Sequence, residues 1–350
     1  MRAAREPSRE GRVTVGWVAL ITVAIAAVLG WGAQASLAKG VLLPGFDGDL
    51  AAWSPDSLLI ATPARKEIEL RRIDGSTERR LRGPGIDYFG WPCECSLGWT
   101  LDGERVQFIS RKGVVEGDAV VGSVARDGGD LQRRSLGMPV GGAAWGPAGW
   151  PLVFIPNSRA FRLPSGKRVG PSPDLWRLES LHGKPRKILA RPGGENDPLF
   201  SPDGSEITFM RETEWSSSLW KAGADGSNPR RLAGNLLGPS AAAWSPDGQQ
   251  IALSTFSRGD RRCHLYVVSP SGGQLRQITD EEILTNRPAW TPDGQWITFS
   301  NYDGEIRKIR PDGTSAQTIT RLPGKEIRGL KWSPDGEHLG YTARTFPVSD

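Results

Sequence analysis

The chain has 350 residues, of which 38% are hydrophobic and 24% charged, so it can fill a sizeable core and is not a disordered protein by composition. The net charge is +5, but Arg2, Arg5, Arg9 and Arg12 stand against only Glu6 and Glu10 at the start, which leaves a small excess for the rest. A nucleic-acid surface needs a dense basic stripe with aromatics beside it; the nearest stretch, "RAFRLPSGKR" at 159–168, reads as a solvated loop, so no nucleic-acid partner is expected.

The first predicted element is apolar. Residues 13–38 carry no charge, and "VTVGWVALITVAIAAVLGW" is long enough for the roughly 20 helical residues that cross a bilayer. The basic residues before it and the single Lys39 after it predict a cytoplasmic tail over 1–12, a signal-anchor helix over 13–33 and an extracytoplasmic remainder. Ala33 and Ala35 form an A-x-A arrangement, so cleavage after Ala35 and secretion is the alternative outcome. No Cys follows the apolar run to take a lipid, and no Arg pair marks a twin-arginine signal. Cys93, Cys95 and Cys263 are odd in number, so at least one stays unpaired, and the C-x-C of "WPCECSLGW" lacks the further ligands a metal site needs. Neither a metal nor a cofactor is expected.

From residue 51 one phrase recurs seven times: "AAWSPDSLLIA" at 51, "LGWTLDGERVQF" at 97, "AAWGPAGWPLVF" at 143, "PLFSPDGSEITF" at 198, "AAWSPDGQQIAL" at 242, "PAWTPDGQWITF" at 288 and "LKWSPDGEHLGY" at 330. The aromatic anchors Trp53, Trp99, Trp145, Phe200, Trp244, Trp290 and Trp332 are 46, 46, 55, 44, 46 and 42 residues apart, the period of one four-stranded propeller blade. Pro, Asp and Gly suit a tight turn between two strands, and runs such as "IALS" and "ITFS" suit a strand packed on both sides. The large ring before each turn is expected between neighbouring blades.

A second phrase follows each of the first six copies, as in "IELRRIDGSTERRL" and "LWKAGADGSNPRRL", and reads as strand, turn, strand. The two phrases together predict an all-β fold of four-stranded antiparallel blades over 51–350. The last copy has no second phrase; strands from 36–50 and from "RTFPVSD" are expected to complete it and close seven blades, with six and an extra hairpin as the alternative.

These phrases resemble the repeat of the TolB-like, WD-like β-propellers across about residues 50–345, most closely in "PLFSPDGSEITFM" and "LWKAGADGSNPRRLAG". The resemblance implies the fold, and function less narrowly: the repeat occurs in periplasmic binding propellers, in the propeller halves of oligopeptidases and in polysaccharide lyases. TolB itself carries an α/β domain ahead of its propeller, for which only about 15 residues are available here, so a literal TolB role is not expected. Ser57 in place of Gly, Leu101 in place of Pro and "GPAG" at 146–149 also depart from the repeat.

Signatures of chemistry are missing. There is no G-x-S-x-G elbow, no H-E-x-x-H and no P-loop, and His182, His264 and His338 sit at different blade addresses. The repeat acids Asp56, Asp102, Asp203, Asp247, Asp293 and Asp335 are assigned to turns. Ligand contact is instead expected from the irregular loops on the opposite face, where Tyr88, Trp91, Asp197, Arg211, Trp215, Arg258, Arg287, Tyr302 and Arg328 mix charge with aromatics; Asp87, Glu195, Asn196, Glu214, Asp260, Arg261, Asn286, Asp303 and Glu326 share those loops. The expectation is a non-catalytic scaffold that binds a protein, peptide or glycan at the cell envelope. The alternative is a lyase or glycoside hydrolase using carboxylates at the channel mouth, for which a buried acid with a raised pKa would speak.

Overall fold

The computed structural model describes residues 39–42, 51–64, 66–86, 97–111, 118–156, 161–162, 168–169, 174–190, 194–212, 217–256, 259, 261–284 and 286–345. Two compact units divide the chain, Met1–Leu37 and Ala38–Asp350; the tail and expected anchor at 1–33 lie outside the described residues, and all that follows concerns the second unit. No described helix is long and apolar enough to cross a membrane.

Each copy of the double phrase folds into one sheet. Unit 1 holds β2 (Ala52–Trp53), β3 (Leu59–Ala64), β4 (Glu67–Arg72) and β5 (Thr77–Leu81). Unit 2 holds β6 (Leu97–Trp99), β7 (Arg105–Arg111), β8 (Ala119–Ala125) and β9 (Gln132–Ser135). Unit 3 runs through β10 (Val140–Gly146), β11 (Gly149–Pro156), β14 (Leu175–Leu178) and β15 (Arg186–Leu189). Between its second and third strands a separate ribbon of β12 (Phe161–Arg162) and β13 (Arg168–Val169) forms within the stretch expected to be a plain loop, Phe161 pairing with Val169 and Arg162 with Arg168.

Units 4 and 5 share a strand. β16 (Gly194–Phe200), β17 (Glu206–Glu212), β18 (Ser217–Gly223) and the first half of β19 (Arg230–Trp244) make unit 4. The second half of β19 pairs with β20 (Ile251–Phe256), followed by β21 (Cys263–Val268) and β22 (Arg276–Gln277). Unit 6 is β23 (Ala289–Trp290), β24 (Ile297–Ser300), β25 (Glu305–Ile309) and β26 (Gln317–Arg321). The seventh sheet contains β27 (Lys325–Trp332), β28 (His338–Thr345) and β1 (Lys39–Leu42), which pairs with β28 from Lys39 opposite His338 to Leu42 opposite Tyr341. Residues 39–42 of the 36–50 segment thus form a strand that runs parallel to β28, and 346–350 lie outside the described residues.

The core is a series of slabs between successive units. Leu59, Ile68 and Leu70 of unit 1 meet Val106 and Phe108 of unit 2, and Ile109 and Val121 of unit 2 meet Leu152 and Phe154 of unit 3. The series continues as Val153 against Phe209, Leu219 against Leu253, Leu265 against Phe299 and Ile306 against Tyr341. Second strands are buried on both faces, which is why they read as unbroken apolar runs.

The tryptophans add a polar tie. Nε1 of Trp99 donates to Ala52 O at 3.1 Å and that of Trp290 to Ala243 O at 3.1 Å, each in the preceding unit. Trp244 reaches Thr208 Oγ1 at 3.0 Å and Trp332 reaches Thr298 Oγ1 at 2.9 Å in the same sense. Trp53, in unit 1, donates to Lys331 O of unit 7 at 3.1 Å. Five of the seven rings follow an Ala or Gly, and at one of these the space is tight: a Cβ on Gly98 would stand 2.9 Å from Trp145 Cδ1.

The turns are held by a residue that the Pro-Asp-Gly reading left without a role. In the fifth copy Ser245 Oγ donates to Asp247 Oδ1 at 2.6 Å and accepts the Gln250 N–H at 2.9 Å, while Asp247 accepts the Gln249 N–H at 2.9 Å. Ser54, Thr100, Ser201, Thr291 and Ser333 repeat this arrangement. The hydroxyl bond is the first cause that holds Asp102, Asp203 and Asp247 below the usual carboxylate range, Asp203 at about 2.

Candidate functional site

The ends of the units opposite the Ser-Pro-Asp-Gly turns form the loop face. Tyr88, Trp91, Trp215 and Arg258 lie outside the described residues, as do Asp87, Glu214 and Asp260. Asp197, Arg211, Arg287, Tyr302 and Arg328 are described. Three of these are not in loops: Asp197 is in β16, Arg211 in β17 and Arg328 in β27. The polar run "ENDP" looks like a loop because β16 is bulged there, its pairing with β17 shifting between Asn196 and Leu199, with Asp197 at φ 52° and Pro198 in the gap. The same kind of shift separates Leu237 from Ala241 in β19 and Arg328 from Lys331 in β27.

The bulges re-aim side chains, and one pair results. Arg287, just ahead of β23 in unit 6, forms an ion pair with Asp197 of unit 4 and donates from its other terminal nitrogen to Ala242 O of unit 5 at 2.8 Å. It reaches past unit 5 because that strand offers only Ala241 and Ala242 there. Arg287 also lines a cavity of about 360 Å³ whose other walls are Ala144, Trp145, Leu199, Phe200, Ala243 and Trp244, from the inner strands of units 3, 4 and 5, with Pro147, Ser201 and Pro202 of the turns that follow at its far end. A charged pair thus stands beside an apolar, aromatic hollow, the composition of a recognition site.

Other loop-face charges are matched locally. Glu326 is buried and takes Arg328 on Oε1 and Arg344 Nε on Oε2 at 2.6 Å. Burial pushes its carboxyl up, but the two guanidinium groups outweigh this and hold it below the usual range. Glu195, expected in a loop, is fully buried and opposes Arg211 in register across β16 and β17. The Arg211 guanidinium lies 5.3 Å from the Trp220 ring, a cation–π contact that its position in the middle of a third strand did not advertise. Tyr302 stands exposed on the unit 6 turn, next to Asn301, which donates to Glu281 at 3.2 Å and to Glu305 at 3.1 Å.

On the turn face, ligand atoms of Asp335, Glu337 and His338 lie within 4.8 Å of one another. Asp335 is already engaged by Ser333 and by the Glu337 N–H, and both acids are exposed. His264, which the sequence leaves uncommitted, is buried, and its Nδ1 sits 3.0 Å from Glu281 O.

No protein-family model matches the chain and no curated protein matches it. Solved structures do. The β-propeller domain of Myceliophteria thermophila Cps50 (Swd1) superposes with a TM-score of 0.57 at 12% identity, over 83% of this chain and 92% of that one. The fold is a β-propeller. An oligogalacturonate lyase solved with manganese matches this propeller at 15% identity and a TM-score of 0.61, over 86% of this chain and 89% of that one. TolB from Acinetobacter baumannii matches at 16% identity and a TM-score of 0.51 over 83% of this chain, which spans 65% of the TolB chain. At these identities the likeness is one of fold, and the propeller's function rests on its own residues.

Proposed function

We propose that this chain is a membrane-anchored, extracytoplasmic propeller of seven blades that binds a protein, peptide or glycan on its loop face and catalyses no reaction. The observation that carries the reading is the Arg287–Asp197 pair beside the aromatic cavity of about 360 Å³. Its groups are fixed in advance by strands of three units, so a ligand that exchanges one hydrogen bond of the guanidinium and fills the hollow meets a preorganised site. Seven blades are supported by the Trp53 bond to Lys331 and by Lys331 Nζ donating to Ala51 O at 2.5 Å, which join the seventh sheet to the first. Glu326, whose carboxyl is held low by Arg344 and Arg328, does not suit the general-acid role that a glycoside hydrolase needs.

The test is capture from an envelope extract by the full chain in detergent, compared with Arg287→Met and Tyr302→Ala. The wild type retains a partner that Arg287→Met loses while its thermal midpoint stays within a few degrees of wild type. Equal retention by the variants, or turnover of uronate or other glycan substrates to unsaturated products, overturns the binding reading.

A further inference from the structure

Four large apolar side chains stand exposed among the described residues, and three of them crowd one corner of the turn face: Leu58 at 60%, Ile73 at 41% and Leu101 at 70%. Leu58 and Leu101 lie in the first turns of units 1 and 2, and Ile73 in the outer turn of unit 1. The first turns of units 1 and 2 adjoin, and the outer turn of unit 2 ties to unit 1 beside them. A Cβ on Gly103 would be 3.6 Å from Pro55 Cδ, Arg126 of unit 2 bonds Asp56 at 2.7 Å, and Arg79 of unit 1 donates to Asp127 O at 3.0 Å.

The repeats themselves show that these are departures. Where Leu58 stands, five of the other copies carry Glu104, Ser205, Gln249, Gln295 and Glu337 and the third carries Trp150, which packs edge-on against Trp145; where Leu101 stands, the other six carry Pro. Neither leucine contributes to its turn: Leu58 gives only its backbone N–H, to Asp56 Oδ1 at 3.1 Å, and the Thr100–Asp102 hydroxyl bond flanks Leu101 without involving it. Singly exposed leucines are ordinary, but three at neighbouring tips of one face mark a contact surface.

The route of the chain says what that surface meets. β1 enters the seventh sheet with Lys39 opposite His338, at the end of β28 that leaves the turn, so the chain arrives from the turn face. Immediately upstream lies the uncharged stretch 13–38, and the step of six residues from position 33 to Lys39 spans about 20 Å at most when extended. We propose that the turn face at units 1 and 2 rests on the lipid bilayer, with Leu58, Ile73 and Leu101 entering the headgroup–acyl boundary and exposed Arg72 and Arg79 at the level of the phosphates. The loop face then looks away from the membrane. This rests on the anchored reading of 13–33 and is independent of what the loop face binds.

The test uses the full chain in nanodiscs, with Cys93 and Cys95 changed to Ser; Cys263 is buried and does not label. A bimane probe is placed at Leu58→Cys, Leu101→Cys or, on the loop face, Tyr302→Cys, in discs with and without a shallow nitroxide lipid. Probes at 58 and 101 lose intensity with the quencher lipid and shift to the blue, whereas the probe at 302 does neither. Absence of quenching at 58 and 101, or equal quenching at 302, overturns the proposal. A chain that does not co-elute with lipid overturns the anchor and this proposal together, leaving loop-face capture to be judged by its own assay.

Discussion

Ser201→Ala isolates the hydroxyl that closes a blade turn. Ser201 is 4% exposed; its Oγ donates to Asp203 Oδ1 at 2.6 Å and accepts the Glu206 N–H at 3.0 Å. The methyl leaves that N–H without its acceptor and removes a charge-assisted bond, so unfolding free energy at pH 7 falls by about 2–3 kcal/mol, the range for one buried unsatisfied group with one such bond. The pH dependence carries a sign. Asp203 is lowered from 3.8 to about 2, chiefly by the Ser201 bond and then by the Ser205 N–H. A lowered carboxyl contributes stability that is present above about pH 4 and is lost as pH falls towards 2. The gap between wild type and variant is therefore widest at neutral pH and narrows over that window, and the Asp203 carboxyl titrates nearer 3.8 in the variant. Urea midpoints between pH 2 and 7, with carbon-detected titration of Asp203, read both effects. A gap that is constant with pH, or an Asp203 that still titrates at about 2 in the variant, refutes the reasoning.

Other perturbations follow from the packing. Trp99→Phe keeps most of the ring but loses the bond to Ala52 O, costing about 1 kcal/mol in urea denaturation, whereas Phe154→Ala empties a fully buried site between units 2 and 3 and costs about 3–5 kcal/mol. Cys263 is buried, and desolvation and then Glu282 push its thiol up to about 12; peptide mapping after alkylation at pH 8 finds it unmodified in the native protein and modified only as the protein unfolds.

Repetition is what made the fold legible. Seven aromatic anchors at near-constant spacing state the unit, and apolar runs such as "IALS" state that it is packed on both sides. The functional face was legible only in outline, because its residues are those that do not repeat. "ENDP" was read as loop, yet it is a bulged strand with Glu195 buried; a bulge is set by pairing with β17, which local composition does not encode. Arg287 reads in the sequence as a polar loop residue, but its partner is 90 positions away, two units back. The role of the turn Ser or Thr was visible in principle, since it recurs in six of the seven copies; only its bond to the N–H five residues on explains why Gly146 can replace it where the Asp is also lost.

The "PRRL" of the second phrase has a similar meaning, and it bears on how successive units are joined. Arg79, Arg134, Arg230 and Arg276, from fourth strands, and Arg177, from a third, each donate to a backbone carbonyl of the next unit's outer turn: Asp127, Gly183, Pro270, Pro311 and Ala224 respectively. These clasps link units 1 to 6 in order. Among the described residues unit 7 presents no outer turn to clasp, and β26 of unit 6 carries Gln317 and Thr318 where the clasping strands carry Arg. The join between units 7 and 1 is instead made near the axis and at the turn: Trp53 to Lys331, Lys331 to Ala51, and the Asp335 N–H to Ser57 Oγ at 3.1 Å. Ser57 holds the left-handed φ of 61° that glycine holds in the other turns, a conformation unfavourable for a residue with a Cβ, and its hydroxyl makes a bond across the seam that no glycine could make. The one copy that loses its glycine is thus the copy that meets unit 7, and the departure reads as part of that join.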